Sequence, residues 1–431
     1  MSRVVVLGAG LTGLSSAWHL ARRDVAATVL ERDERPGGAC RTHEVDGFHF
    51  DLTGHLLHLA RPDSRGLLRR LGLGGRFRRH RRRAGVALAG RITPYPIQIH
   101  THRLPAEVRR DCLLGFVEAQ RSDRSEETAG FADWVMERFG AGFARHFFFP
   151  YNRKLYCTDP AELTTEWVGR YVPKPDLADV VDGALGLFPA SRAVGYNSTF
   201  LYPARGGIAV LGEALATGLA DLRLGCAVRA LDLGERTLEL ASGERLPWDT
   251  LVATAALSDL AALCVELPPA VRAAAAQLRA VGVVNLNFGV RGRAARREHW
   301  LYVPEERFPF YRVGFPSNHG RVAPEGCHTV SVEVSVPAGT LTPADLEARC
   351  LAGLVELGAL RDPGDVLVRA TARIDPAYVV FDRLRPQAVA TLRDHLRQAG
   401  VLLVGRWAEW KYSTMEDALW DGAAAARRVA P

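Results

Sequence analysis

Residues 4–13 read VVVLGAGLTG, and the next apolar run, residues 27–31, reads ATVLE. A short buried strand enters a glycine turn, and a helix follows. Gly8 serves the tight turn, Gly10 lets the backbone approach a pyrophosphate, and Gly13 lets helix and strand pack closely. The pyrophosphate then sits on amides at the helix N-terminus. Glu31 lies where a carboxylate accepts from an adenosine ribose hydroxyl. The spacing thus predicts a bound dinucleotide, without choosing between NAD and FAD. Gly37-Gly38 follow the second strand, and then Arg41. The glycine pair reads either as a plain turn or as close passage of chain past an extended cofactor.

The chain has 431 residues, which predicts two domains with a helical insertion. No stretch of 18 uncharged apolar residues predicts a membrane span, and the apolar start reads as the nucleotide strand, not a secretion signal. Seven scattered cysteines with no CxxC pair predict reduced thiols and a cytoplasmic setting. No cluster has metal-ligand spacing. The formal charge is +7, and five arginines fall within Arg78–Arg83. That run reads as a solvated helix end or loop. No stacking aromatics alternate with it, so nucleic acid is not expected as a partner. A modest positive field suits an anionic small substrate.

Helical periodicity covers 104–118 and 130–139, followed by a dense aromatic stretch at Phe147, Phe148, Phe149 and Tyr151. A helix is predicted over 208–219 after Gly206-Gly207. Strands are predicted over 222–228, 230–233, 237–240 and 246–253. Further strands over 283–290, 299–303, 310–315 and 329–336 suggest a mixed or antiparallel substrate platform. A helix over 341–357, strands over 366–374 and 377–381, and a last helix over 415–429 complete the reading. Glu416 and Asp417 open that last helix, where carboxylates are favourable.

Four separated motifs carry a family resemblance: GAGLTGLSSAWHL at 8–20, VLERDERPGGACRT at 29–42, YPARGGIAVLGEAL at 202–215 and CAVRAL at 226–231. They resemble the flavin-binding superfamily of amine oxidases, protoporphyrinogen oxidase and UDP-galactopyranose mutase. FDLTGHLLHL at 50–59, PYNRKLYCTDPAEL at 150–163, FPFYRVGF at 308–315 and VGRWAEWKYSTMEDAL at 404–419 resemble its mutase-like branch more closely. The resemblance implies an α/β fold. An FAD-binding, Rossmann-like domain of glutathione-reductase type joins a mixed or antiparallel substrate sheet and a helical insertion. The implied division gives 1–90 to the first FAD-binding segment and 91–195 to a substrate-side segment with the insertion. Residues 196–280 form the second FAD-binding segment, 281–380 the substrate sheet and 381–431 the C-terminal FAD-binding segment.

The resemblance also implies roles. FAD, reduced if the enzyme is a mutase, would meet Gly8, Gly10, Leu11, Thr12, Gly13, Glu31, Arg32, Gly38, Ala39, Arg41, Gly54, His55, Val228, Gly405, Arg406, Tyr412, Ser413 and Met415. His55 lies on a strand beside the flavin, with His58 following. Arg312 holds a substrate diphosphate, with Tyr378 and Tyr412 near it, and Lys154 lies at the nucleotide end. The implied reaction is pyranose–furanose interconversion of a nucleoside-diphosphate sugar through a flavin N5–sugar adduct. The alternative is FAD-dependent oxidation of a sugar or other small substrate. The chain departs from the mutase pattern at Leu59, Tyr156, Trp410 and Thr414, which keeps the alternative open.

From the residues alone, each assignment has a rival. Arg312 could instead pair with a carboxylate such as Glu333. Lys154 could be surface charge, and Tyr378 and Tyr412 could be core residues. Trp407 and Trp410 read as packing residues. Arg170 and Arg205 are weaker phosphate candidates. The oligomeric state is open between monomer and homodimer.

Overall fold

The strand Val4–Leu7 is buried at all four positions. Continuous burial of this kind marks a strand covered on both faces. The computed structural model describes residues 3–430 apart from 122–129, 170, 190–191, 193 and 196. In it, Val4–Leu7 is central in a five-stranded parallel sheet ordered Val401–Leu403, Thr250–Ala253, Val4–Leu7, Ala27–Leu30, Asp221–Arg223. The helix Leu11–Ala21 leaves the first strand and packs on the last helix, Met415–Val429. The contact is close enough that a Cβ on Gly422 would lie 2.5 Å from the Thr12 carbonyl oxygen. Ser15 donates its hydroxyl to the Leu419 carbonyl across the same contact, at 2.6 Å.

The platform is a seven-stranded mixed sheet. Its centre pairs Ala280–Arg291 with Cys327–Pro337, antiparallel in register from Val281↔Pro337 to Arg291↔Cys327. The hairpin Ala84–Leu88 and Arg91–Pro94, early in the chain, extends its far edge through a parallel pairing with Trp300–Tyr302. The helix Leu346–Glu356 packs with Phe308 and Phe310 in the platform's apolar core. The insertion consists of the helices Ala106–Arg121, Phe131–Phe143 and Phe149–Tyr156. The last two are joined by a π-helical turn, Ala144–Phe148. Among the described residues no helix is long and apolar enough to cross a membrane.

Several elements differ from the sequence reading. Much of the arginine-rich run is a strand, Phe77–Arg81, paired antiparallel with Thr199–Pro203. Its pairing with an apolar partner strand outweighs the local charge. Arg82 turns inward, donating to the Tyr95 and Val194 carbonyls and to the Asn197 side chain. The run expected over 246–253 splits at Pro247 into Arg245–Pro247 and Thr250–Ala253, which join different sheets. The two strands expected over 366–381 are one, Val366–Val379, which absorbs Pro376 through a register shift. The helix expected from 341 begins at Leu346, after Pro343. The helices Leu257–Leu263, Pro269–Ala276 and Arg385–Gln398 escaped the reading altogether.

Candidate active site

The first glycine turn has the geometry of a phosphate cradle. Gly8 has φ +102°, and a Cβ there would lie 2.6 Å from Thr254 Oγ1. A Cβ on Gly13 would lie 1.9 Å from the Gly8 carbonyl oxygen, so Gly13 exists for packing. Gly10 is different: nothing lies within 4 Å of its missing side chain, and it faces the cavity. The helix after it has no side-chain cap. Its first-turn amides, with the helix dipole behind them, are therefore open to an anion. Glu31 accepts from the Ala9 amide at 2.7 Å and from the Asp33 amide at 3.1 Å, which fixes its carboxylate on the cavity wall. Gly37 donates its amide to the Ala9 carbonyl at 2.8 Å, and a Cβ on Gly38 would lie 3.0 Å from Gly10 Cα. The glycine pair is thus more than a plain turn, because it rests on the phosphate turn itself.

A single cavity of about 1090 Å³ runs from this turn to the platform. That exceeds the usual volume for a drug-sized ligand and suits a dinucleotide plus a substrate. At the far end, Arg406 donates to the Ser413 carbonyl at 3.2 Å and the Ala377 carbonyl at 3.1 Å, while its Nε is buried without a partner. Its guanidinium stacks among Tyr378, Trp407 and Tyr412. Thr414 caps the last helix in a reciprocal box with Asp417, which places Ser413, Thr414 and Met415 on the wall.

His55 lies on a loop rather than the expected strand. The chain leaves extended pairing after Asp51, and Thr53 takes φ +122°. The His55 Nδ1 lies 3.2 Å from Thr53 Oγ1. Burial pulls the imidazole down to about 4, so it is neutral at pH 7 and can offer hydrogen bonds but no charge. His58 turns to the Thr199 carbonyl at 3.0 Å.

The platform supplies the substrate wall. Arg312 has an 18% exposed side chain, lies 3.6 Å from Glu333, and stacks over Trp300. Glu333 is buried and also accepts from the Gly54 amide at 3.0 Å and the Tyr311 hydroxyl at 2.6 Å. The ion pair raised as Arg312's rival is therefore present, yet the arginine still faces the cavity and its Nε has no partner. Eight of the chain's ten tyrosines line this cavity: Tyr95, Tyr151, Tyr156, Tyr171, Tyr302, Tyr311, Tyr378 and Tyr412. Burial raises Tyr378 and Tyr412, so both keep their protons and remain donors.

Of the predicted site residues, Gly8, Gly10, Leu11, Thr12, Glu31, Arg32, Gly38, Ala39, Arg41, Gly54, His55, Val228, Arg312, Tyr378, Arg406, Tyr412, Ser413 and Met415 share this one cavity. Gly13 and Gly405 lie behind it; a Cβ on Gly405 would lie 2.5 Å from Thr12 Oγ1. Lys154 is turned away, its ammonium spent on the carbonyls of Val303, Glu305 and Phe310. Arg205 is exposed and off the wall, and Arg170 lies outside the described residues. Trp410 is fully buried packing, whereas Trp407 reaches the cavity. Glu416 is also more than a helix-end charge. It is buried and accepts from the amides of Ala60 and Arg61 and the hydroxyl of Ser64. Among the described residues no group of three His, Cys, Asp or Glu is placed to hold a metal ion. The reading gave no site role to Tyr95, Tyr302 and Arg373, which lie in unremarkable stretches, nor to Tyr151, Asn152 and Tyr311, which lie inside motifs it quoted; the fold assembles all six on one cavity.

The open Gly10, the uncapped helix, the fixed Glu31 and the orphaned Arg406 Nε fit a flavin dinucleotide. Family comparison agrees: the description "flavin containing amine oxidoreductase" matches residues 11–430. The chain belongs to the flavin-containing amine oxidoreductase family. The chain is similar to a reduced UDP-galactopyranose mutase over its whole length. The TM-score is 0.93 at 26% identity, covering 100% of this chain and 95% of that one. Cyclohexylamine oxidase from Brevibacterium oxydans IH-35A shares the fold at TM-score 0.69 and 17% identity, over 99% of this chain and 98% of that one. Coproporphyrinogen III oxidase of Mycobacterium leprae is 30% identical over 256 residues, 56% of this chain and 51% of that protein. The chain spans about half the length, or less, of the first curated relatives it matches. It is a flavin-dependent enzyme with a UDP-galactopyranose-mutase-like fold, and FAD is the cofactor its family supports.

Proposed function

We propose that this enzyme is a mutase-like catalyst that acts on a nucleoside-diphosphate sugar with reduced FAD. The observation that carries the reading is Arg312. It is a largely buried guanidinium at the cavity wall, braced by Glu333 and Trp300, with Nε still unpartnered. Such a group is built to take a diphosphate oxygen. When bound and reduced, FAD would supply a nucleophilic ring nitrogen for the anomeric carbon.

The chain's own work is to bind and aim. Arg312 takes the diphosphate, with the protonated Tyr378 and Tyr412 donating beside it. Neutral His55 holds the ring end. Trp300, Tyr302 and Tyr151 wall the sugar from water. We place the reaction in the cytoplasm, with no nucleic acid partner.

The test is a panel of nucleotide sugars against pure protein before and after flavin reduction. The reading expects ring interconversion by the reduced protein alone, with no net electron consumption. Turnover that needs oxidised flavin and bleaches it anaerobically would instead support oxidation of a small substrate. Thr414 within the last motif and the similarity to coproporphyrinogen III oxidase favour that second reading.

A further inference from the structure

Two walls of the substrate chamber come from distant parts of the chain. The helix Phe149–Tyr156 presents Tyr151 and Asn152. The platform presents Tyr302, Tyr311 and Arg312 from either end of the connection between Trp300–Tyr302 and Arg312–Gly314. The walls meet where the Tyr151 ring lies 5.5 Å from that of Tyr302 and 6.2 Å from that of Tyr311.

Behind this contact sits Lys154. Its Nζ donates to the carbonyls of Val303 at 2.8 Å, Glu305 at 2.9 Å and Phe310 at 2.6 Å. Val303 follows Tyr302, and Phe310 precedes Tyr311. An ammonium has three N–H donors, and all three are used. An apolar side chain could fill the same space without the cost of desolvating a charge.

We propose that Lys154 is a positioning residue: its ammonium locks the helix bearing Tyr151 and Asn152 to the platform bearing Arg312, and so sets the width of the chamber that grips an anionic nucleotide. The ligand half of this statement rests on the nucleotide-sugar reading; the lock itself does not. A neutral amine has two N–H groups and a lone pair, which would oppose one of the three carbonyls. Burial pulls Lys154 down to about 7, against the opposing fields of Glu305 and Glu306; the nearby Cys350 thiol, pushed up to about 12 by burial, stays neutral there. Glu305 pairs with Arg307, and Glu306 with Arg153, which also meets Asp159. The lock therefore loosens as pH rises through neutrality.

The experiment measures the Kd of uridine diphosphate on reduced, flavin-loaded protein from pH 6.5 to 9. The tyrosine near-ultraviolet circular dichroism is recorded alongside. The wild type should weaken about tenfold in one step near pH 7. Glu305→Gln, on the outer loop, should move that step to lower pH. Lys154→Met should remove it and bind weakly throughout, with flavin content unchanged. A step that persists in Lys154→Met, or stays in place in Glu305→Gln, overturns the proposal. Should Lys154→Met not fold, the Glu305→Gln shift decides. If uridine diphosphate binds at no pH, the nucleotide reading fails. The dichroism step then decides the lock: a step that moves in Glu305→Gln upholds it, and no step overturns it.

Discussion

The Tyr311 hydroxyl donates to the buried Glu333 carboxylate at 2.6 Å, and the same carboxylate holds Arg312 and the amide of Gly54. One side chain thus joins the platform to the loop that carries His55. Arg312→Ala would remove a charge partner from Glu333 and open the substrate wall. Breaking a buried pair costs about 3 kcal/mol. Nucleotide affinity, read by calorimetry, should fall at least about tenfold, while flavin stoichiometry is retained. Unchanged affinity would remove Arg312 from the site.

The glycines of the first turn should separate cofactor binding from folding. Gly10→Ala meets no protein atom and keeps an ordinary backbone, with φ −71°. Its methyl group enters the cradle. Flavin content should drop while the melting temperature of the flavin-free protein is held. Gly13→Ala collides with the Gly8 carbonyl, so that variant should lose stability first. Equal behaviour of the two would contradict the cradle.

Acid should destabilise the fold through His80, His299 and His319, whose rings cluster around Phe200. Each has a buried ring nitrogen without a partner. Burial pulls His299 down to about 3 and His319 well below its ordinary value. The unfolded chain takes up protons below about pH 6.5, and these folded histidines do not. Stability is therefore full above that pH and falls below it, by about 2 kcal/mol for His299 between pH 7 and 5, with His319 adding a loss in the same direction. Urea unfolding across this range measures the slope, and His319→Phe should flatten it.

Glu416 closes the helix Pro62–Arg70 from a distance, through the amides of Ala60 and Arg61 and the hydroxyl of Ser64. Glu416→Ala leaves three donors without their acceptor, at a cost of about 3 kcal/mol. Glu416→Gln retains an acceptor oxygen and should lose clearly less. A chemical denaturation series on both variants checks the order.

The dinucleotide turn was legible because glycine spacing there follows from sterics alone. Arg312 was legible as an arginine on an aromatic, strand-like stretch, which needs an anionic partner if buried, and the family resemblance singled out a diphosphate over Glu333. Its anchor, Glu333, was named only as a rival partner, because CHTVSVEVSVP reads as one more buried strand. Beyond Tyr378 and Tyr412, the tyrosine lining was not legible: Tyr95, Tyr151 and Tyr302 are far apart in sequence and converge only when the insertion closes on the platform. The helix Arg385–Gln398 escaped because its buried stripe is narrow, Ala388, Leu392 and Leu396 among charged residues. The aromatic neighbours of Lys154 point to a pocket rim. Which carbonyls it finds depends on a loop about 150 residues away.

The packing of Gly422 against Thr12, and the bond from Ser15 to Leu419, have a consequence for biosynthesis. The opening strand has its lateral neighbours at Thr250–Ala253 and Ala27–Leu30, and the sheet's outer strand at Val401–Leu403. The glycine turn is synthesised well before the helix Met415–Val429 that braces it, so the turn should stay unsupported, and flavin poorly held, until that helix has docked.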